Sequence, residues 1–174
     1  RWFESRSETS GSNGRSAESG IAQVVTGAGK TVMALDVVRR WLDNHPDGVV
    51  TILVPTKVIM HQWLGELVEK LNGPADDVGW AGGGHKDRFG DGRRILVSIV
   101  NSAVQDDFLR ETLEADDPDE HLLVADECHR YTGDAFSNVF DYRRTASLGL
   151  SATPLSNPED DERSAKDEML LNEL

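Results

Sequence analysis

The chain has 174 residues, one cysteine and a formal net charge of −13, from 31 acidic and 18 basic side chains. This length fits one α/β domain with its own core, and a single cysteine excludes a disulfide framework or a multi-cysteine zinc site. No apolar run approaches the length of a membrane span, so we expect a cytoplasmic protein with no membrane partner.

The excess of acidic side chains is large, and only five of the basic residues are lysines. An acidic, lysine-poor surface over an ordinary apolar core suits a very salty cytoplasm, where charges are screened within about 3 Å at 1 M salt. Under this halophilic hypothesis the charge reflects the solvent rather than the ligand. The alternative is an ordinary acidic protein that avoids polyanions.

The N-terminal part of the chain contains a candidate phosphate-binding loop. Residues 1–19 pass from a possible helix end into a polar stretch that predicts a linker. A β-branched run at residues 21–25 then precedes Gly27 and Gly29, and apolar residues at helical spacing follow them. Glycines between a strand and a helix let backbone N–H groups hold an anion at the helix N-terminus. The alternative is a ligand-free glycine loop, because Val24 stands where the strict motif has glycine.

The rest of the chain predicts a mainly parallel sheet with helices on both faces. A glycine-rich and charged stretch, residues 72–92, is expected to be loop. The motif-like clusters follow the ends of strands, where ligands bind in such sheets. Besides the run before the glycines, four apolar runs predict strands, and they cover residues 49–54, 95–100, 122–125 and 146–150.

The tryptophans are assigned mainly to packing. Trp41 and Trp63 lie on the apolar stripes of predicted helices, so we expect both in the core. Trp80 and Trp2 are also expected to pack, and stacking on a nucleic-acid base is the alternative for them.

Two adjacent acids follow the predicted strand at residues 122–125. Asp126 and Glu127 alone could simply cap a helix N-terminus. Beside a phosphate-binding loop they have complementary functions: Asp126 would hold Mg²⁺ opposite Thr31, and Glu127 would activate the water that attacks a γ-phosphate. Lys30 would contact the β- and γ-phosphates.

Five segments resemble, in order and spacing, motifs I, Ia, Ib, II and III of superfamily 2 helicases. The similar branch is that of the DEAD/DEAH-like DNA helicases and translocases, which includes type III restriction subunits and excision-repair translocases. The segments are Thr-Gly-Ala-Gly-Lys-Thr at 26–31, Pro-Thr-Lys at 55–57, Asn-Ser at 101–102, Asp-Glu-Cys-His at 126–129 and Ser-Ala-Thr at 151–153.

This resemblance implies a three-layer αβα RecA-like P-loop domain over residues 20–155. Residues 1–19 would be the end of a helix and a flexible linker, and residues 156–174 an acidic tail towards a second lobe. The family's adenine-recognising glutamine is expected before Arg1, because no residue in 1–19 fills that role. Its arginine finger is expected in the second lobe, so the isolated lobe would hydrolyse ATP slowly at best.

The resemblance also implies a function for each motif residue. Asp126 and Glu127 would be the metal-holding and water-activating acids, and Lys30 would complete the catalytic set. For Thr56 and Ser102, simple helix capping is an equal alternative. Mg·ATP would be bound by Thr26, Gly27, Ala28, Gly29, Lys30 and Thr31, with Thr31 also on the metal. The residues that would couple ATP hydrolysis to movement between the two lobes are His129, Ser151 and Thr153. The nucleic-acid backbone would be contacted by Pro55, Thr56, Lys57, Asn101 and Ser102.

The sequence therefore predicts the N-terminal motor lobe of an ATP-dependent DNA helicase or translocase. Its cofactors would be ATP and Mg²⁺, and its partners nucleic acid and a second RecA-like lobe. The preference for DNA over RNA comes from the resemblance alone. The alternative is a truncated, non-catalytic nucleotide- or nucleic-acid-binding module. A small GTPase fits poorly, because no Asn-Lys-x-Asp segment occurs.

Overall fold

The computed structural model describes residues 9–10, 16–24, 29–71, 75–90, 92–131 and 144–152. In these ranges the chain alternates between strands and helices. The strands are β1 (Thr9–Ser10), β2 (Ser16–Gln23), β3 (Val49–Val54), β4 (Val78–Gly82), β5 (His85–Lys86), β6 (Ile95–Ile99), β7 (His121–Asp126) and β8 (Ala146–Ser151). The α-helices are α1 (Lys30–Asn44), α2 (Lys57–Leu71), α3 (Val100–Val104) and α4 (Phe108–Asp116).

The strands form one sheet in the order β1-β2-β8-β7-β3-β6-β4-β5. The six central strands are parallel to one another, and only the edge strands β1 and β5 pair antiparallel with their neighbours. Parallel neighbours need crossover connections, and the α-helices lie in the connections from β2 to β3, from β3 to β4 and from β6 to β7. The predicted α/β fold with a mainly parallel sheet is confirmed.

The core consists of two layers, one on each face of the sheet. On β3, Val50, Ile52 and Val54 face a cluster that includes residues of α1 and α2. The alternating positions Val49 and Leu53 face a second cluster that includes residues of α3 and α4. Burial on both faces explains why β3 is a continuous apolar run without alternation. The three-layer αβα arrangement is therefore also confirmed.

The structure corrects the loop expected at residues 72–92. This stretch contains β4, which pairs in parallel with β6, and the short antiparallel hairpin of β4 and β5. Gly82 permits the close packing of β4, since a Cβ there would lie 2.6 Å from Ile99 Cδ1. The stretch is rich in glycine and charged residues, so it shows no alternation of apolar and polar residues that would predict a strand. The backbone of β4 nevertheless forms hydrogen bonds with β6.

Two boundaries also differ from those expected. Residues 16–19, assigned to a linker, belong to β2, and Glu18 pairs with Ala146 of β8. Their polar side chains give no strand pattern, but backbone pairing does not require apolar side chains. Val100, expected to end a strand, begins α3 instead. The helix end expected at residues 1–4 lies outside the described residues.

The C-terminal end of α1 is closed by a side chain from a distant strand. Arg94, just before β6, donates hydrogen bonds to the carbonyl oxygens of Leu42, His45 and Gly48 at 3.3, 2.6 and 3.2 Å. These include carbonyls that a helix leaves unpaired at its end. Among the helices in the described ranges, none is long and apolar enough to cross a bilayer.

Candidate functional site

The candidate site lies at the carboxyl ends of the parallel strands. Lys30 is the first residue of α1, which follows β2, and Asp126 is the last residue of β7. A single strand, β8, separates β2 from β7 in the sheet. Because parallel strands end at the same edge, this order brings the start of α1 close to the acids at positions 126 and 127.

The Lys30 side chain contacts both acids. Its Nζ donates a hydrogen bond to Glu127 Oε1 and lies 3.2 Å from Asp126 Oδ1. Only 12% of the Lys30 side chain is exposed. Burial by itself would lower the pKa of Lys30, but the hydrogen bond to Glu127 and the charges of both acids outweigh it, so the pKa is raised. Lys30 is therefore a cation at neutral pH and is available to an anionic ligand.

Asp126 is buried and held at two points. Its Oδ2 accepts a hydrogen bond from Trp63 Nε1 at 2.9 Å, and its backbone oxygen accepts one from the Tyr131 hydroxyl at 2.6 Å. The other carboxylate oxygen, Oδ1, is buried and lies 3.2 Å from the Lys30 ammonium, with which it forms an ion pair. One oxygen of this carboxylate is thus fixed and the other is directed towards the site.

Glu127 adopts a left-handed backbone conformation, with φ 53° and ψ 43°. This region is costly for residues with a side chain, on the order of 1 kcal/mol, and such residues are common at functional sites. Glu127 precedes a short 3₁₀ turn, Cys128–Arg130, but its side chain makes no capping hydrogen bond there. The capping alternative for the acid pair is therefore wrong for Glu127, whose carboxylate pairs with Lys30.

The start of α1 is preceded by a glycine in a left-handed backbone conformation. Gly29 precedes the helix with φ 88°, a conformation that favours glycine, and a Cβ at this position would meet none of the described residues within 4 Å. The N-terminus of a 15-residue helix favours an anion. Thr31, half-buried, lies in the same first turn. Thr26, Gly27 and Ala28 lie outside the described residues and stay predictions.

The residues assigned to coupling lie beside the acids. His129 Nδ1 is 3.1 Å from Ser151 Oγ and 3.5 Å from Glu127 Oε2. The hydrogen bond joins the turn after β7 to the last residue of β8. Thr153 lies outside the described residues. A contact network therefore runs from Glu127 through His129 to the neighbouring strand.

The residues assigned to nucleic acid follow β3 and β6, which are neighbours in the sheet. Thr56 and Lys57 are exposed at the start of α2, and Pro55 is half-buried beside them. Thr56 Oγ1 accepts a hydrogen bond from the Ile59 N–H at 3.4 Å, so it also caps this helix. Asn101 and Ser102 lie inside α3, whose N-cap is Ile99. The capping alternative is therefore wrong for Ser102.

Two contacts of the acids were not foreseen from the sequence. Trp63 is in the core as predicted, but it also donates a hydrogen bond to Asp126. Tyr131 holds the same residue through its hydroxyl. A signal did exist, because buried Trp and Tyr polar groups usually find a partner.

Trp80, assigned to packing, stacks on the His85 ring with 3.7 Å between centroids. Trp2 lies outside the described residues.

The mainly parallel sheet and the position of Lys30 opposite two acids at its edge define the class of fold as a RecA-like lobe. The family model described as type III restriction enzyme, res subunit, matches residues 1–156. The chain belongs to this family.

Relatives and solved structures agree with this assignment. The chain is 30% identical over 144 residues to the predicted DNA 3'-5' helicase Rad25 of Haloarcula marismortui, covering 83% of this chain and 21% of the relative. It is 31% identical over 143 residues to the predicted ATP-dependent RNA helicase QP509L of African swine fever virus, covering 77% of this chain and 25% of the relative. The chain thus spans about a fifth to a quarter of the length of these relatives.

Two solved structures show the same fold. The Hef helicase domain of Pyrococcus furiosus aligns with a TM-score of 0.68 at 24% identity, covering 91% of this chain and 33% of that chain. The UvsW helicase of bacteriophage T4 aligns with a TM-score of 0.64 at 20% identity, covering 84% of this chain and 50% of that chain.

Proposed function

We propose that this chain is the ATP-binding lobe of an ATP-dependent DNA helicase or translocase, which hydrolyses ATP when a second RecA-like lobe completes the site. The main support is the convergence of Lys30 with Asp126 and Glu127 at one edge of the sheet. Lys30 and Glu127 are 97 positions apart, and both motifs are needed to bind and cleave a nucleoside triphosphate. Membership of the res subunit family supports the same function.

The described residues fit Mg²⁺ and a triphosphate. Asp126 Oδ1 is a buried carboxylate oxygen that faces the Lys30 ammonium at 3.2 Å, and a carboxylate oxygen directed into the site is the type of ligand that Mg²⁺ prefers. A Cβ at Gly29 would meet none of the described residues within 4 Å, which leaves room among them for a phosphate at the helix N-terminus. Thr31 would bind the metal through its hydroxyl, and the bound Mg²⁺ would neutralise phosphate charge.

We assign the water-activating function to Glu127. A phosphate oxygen would compete with Glu127 for the Lys30 amine, and the Glu127 carboxylate would then accept a proton from water. His129 and Ser151, linked by a hydrogen bond, would transmit the state of Glu127 to the second lobe. The proposed nucleotide-binding set also contains Thr26, Gly27 and Ala28, and the coupling set contains Thr153.

We assign nucleic-acid binding to the segments after β3 and β6. Hydroxyl and backbone N–H groups at helix starts bind phosphate without reading bases, which gives a sequence-independent grip. The proposed contacts are Pro55, Thr56, Lys57, Asn101 and Ser102. DNA is the proposed ligand; the Rad25 relative is named a DNA helicase, whereas the viral relative is named an RNA helicase.

The proposed domain organisation has one lobe, which ends at residue 155 and whose start is moved from residue 20 to include the sheet strands Thr9–Ser10 and Ser16–Gln23. An acidic tail at 156–174 would follow it and lead to a second lobe. The greater length of the relatives supports this organisation.

We also propose a halophilic, cytoplasmic protein. The net charge of −13 and similarity to proteins of Haloarcula marismortui and Halobacterium salinarum support this environment.

The test is ATP hydrolysis by the full protein in molar KCl, with and without DNA. We expect DNA-stimulated turnover in the wild type and a loss of at least about 100-fold in Lys30→Ala and Glu127→Gln. Lys70→Ala, which removes an exposed lysine of α2, is the control and should match the wild type. Equal rates in all four proteins would overturn the site assignment. Nucleotide binding without hydrolysis in the wild type would favour the non-catalytic module, and greater stimulation by RNA would overturn the preference for DNA.

A further inference from the structure

We infer that Trp63 is a positioning residue that holds the Asp126 carboxylate in the orientation required by Mg²⁺. The inference rests on the proposed function, because it concerns the metal that Asp126 would hold. Trp63 lies on α2, outside the five motif segments, and donates its indole N–H to Asp126 Oδ2 at 2.9 Å. The contact joins residues that are 63 positions apart in the sequence.

The hydrogen bond restricts rotation of the carboxylate. Asp126 is fixed at its backbone oxygen by Tyr131 and at Oδ2 by Trp63, which leaves Oδ1 directed towards Lys30. A terminal carboxylate torsion is otherwise broad and roughly two-fold. A single donor on Oδ2 therefore decides which oxygen faces the site and at which angle.

The position of the donor is rigid. Trp63 is 1% exposed and packs in the cluster that also contains Met60 and Leu67 of α2 and Val124 of β7. A side chain locked by packing can hold a metal ligand to within the tolerance that a small cation demands. Phenylalanine would fill much of the same space without the N–H, and Oδ2 would then be buried without this donor.

Trp41 provides a matched comparison within the same core. It packs against the same cluster from α1, but its indole Nε1 is buried and has no hydrogen-bond partner among the described residues. Loss of the Trp41 ring should therefore weaken packing without changing the orientation of Asp126. The two tryptophans separate the effect of an indole ring from the effect of its N–H group.

The test measures the Mg²⁺ dependence of binding of a fluorescent, non-hydrolysable ATP analogue, mant-AMPPNP, to the protein. Each protein is titrated with the analogue in EDTA and then with Mg²⁺ at fixed analogue. The set comprises the wild type, Trp63→Phe, Trp41→Phe, Asp126→Asn, and a protein with 3-benzothienylalanine at position 63, an isostere that keeps the ring shape and removes the N–H. The isostere covers the case in which Trp63→Phe does not fold.

We expect the isostere and Trp63→Phe to raise the Mg²⁺ concentration for half-maximal binding about 10-fold. The affinity of these variants for mant-AMPPNP in EDTA should stay within about twofold of the wild-type value, since Lys30 and Gly29 are unchanged in them. Trp41→Phe should retain the wild-type Mg²⁺ dependence. The isostere result excludes a packing effect, because ring volume is preserved.

Three outcomes would overturn the inference. If the isostere shows the wild-type Mg²⁺ dependence while Asp126→Asn loses it, Trp63 does not position the ligand and the proposed function stands. If affinity falls equally in EDTA and in Mg²⁺, the effect is general to the fold and the positioning assignment is wrong. If the wild type binds no nucleotide, or binds it independently of Mg²⁺, the proposed function fails together with the inference.

Discussion

Lys30 Nζ donates a hydrogen bond to Glu127 Oε1 and thereby joins the first turn of α1 to the residue after β7. The two side chains are 12% and 22% exposed, so both charges are largely shielded from solvent. Removing one member of such a pair leaves an uncompensated charge in a shielded place. The same contact thus contributes to stability and places the amine where a phosphate would bind.

Replacing Lys30 should destabilise the protein in a pH-dependent way. Lys30→Ala is expected to lower the free energy of unfolding by about 1–3 kcal/mol near neutral pH. The pKa of Lys30 is raised in the folded state, so its contribution is fully present below the ordinary pKa of 10.5 and is lost as pH rises through the higher folded value. Urea unfolding of wild type and variant should show a constant difference up to pH 10.5 that shrinks above it.

A difference between the two proteins that grows above pH 10.5 would contradict this explanation. Lys70→Ala serves as the control, because Lys70 pairs with Glu66 on the surface of α2 with 41% of its side chain exposed. An exposed pair of this kind contributes about 0.5 kcal/mol or less.

Arg94 should be important for the stability of α1. It donates to the carbonyl oxygens of Leu42, His45 and Gly48, and hydrogen bonds from a charged donor contribute about 1.5–3 kcal/mol. We expect Arg94→Met to lower the free energy of unfolding by about 2–3 kcal/mol in urea titrations. Arg40→Met, which removes a 69% exposed guanidinium on the same helix, should change it by about 0.5 kcal/mol or less. Equal effects of the two substitutions would show that Arg94 does not cap α1.

Two glycines should respond in opposite directions to alanine. A Cβ at Gly82 would lie 2.6 Å from Ile99 Cδ1 and 3.2 Å from Met60 Sδ, so Gly82→Ala should cost about 1–3 kcal/mol through overpacking. A Cβ at Gly65, inside α2, would meet nothing within 4 Å. Gly65→Ala should stabilise the protein by about 0.5–1 kcal/mol, the helix preference for alanine. Thermal unfolding of both variants checks the signs, and a stabilising Gly82→Ala would refute the packing of β4 on β6.

The Cys128 thiol should be inert in the native protein. The side chain is 1% exposed, and burial, with the charges of Glu127 and Asp126, raises its pKa to about 12. We expect reaction with DTNB near pH 8 to be at least about 100-fold slower in the native protein than after unfolding in guanidinium chloride. Similar rates in both states would contradict the burial of Cys128.

The same thiol makes stability sensitive to alkali. Its contribution is fully present below the ordinary pKa of 9.0 and is lost as pH rises towards about 12, because only the unfolded chain ionises in that interval. Cys128→Ala should remove this part of the alkaline loss, and urea titrations across the interval measure it. An unchanged alkaline loss in the variant would assign it to other groups.

Sequence patterns predicted the buried parts of the sheet and missed its periphery. β3 and β7 are buried at every position, so they appear in the sequence as continuous apolar runs. β4 contains two glycines and lies next to the edge strand, and its pairing with β6 depends on a neighbour rather than on its own composition. Residues 16–19 are polar and are held in β2 by backbone pairing with β8.

In the candidate site, too, the features with a local sequence signal were predicted, and the features that depend on packing between distant elements were not. Motif spacing located Lys30, Asp126 and Glu127, since glycine turns and acids at strand ends are local signals. The bond from Trp63 to Asp126 could not be located, because it depends on how α2 lies against β7. The left-handed conformation of Glu127 likewise has no signal in its residue type, which rarely adopts it.

The most direct test of the central claim is a crystal structure of the protein with a non-hydrolysable ATP analogue and Mn²⁺ in place of Mg²⁺. We predict that Lys30 Nζ leaves Glu127 and lies about 3 Å from a phosphate oxygen, with the metal's anomalous signal beside Thr31 and Asp126. A nucleotide bound elsewhere, with the ion pair between Lys30 and Glu127 intact, would contradict it.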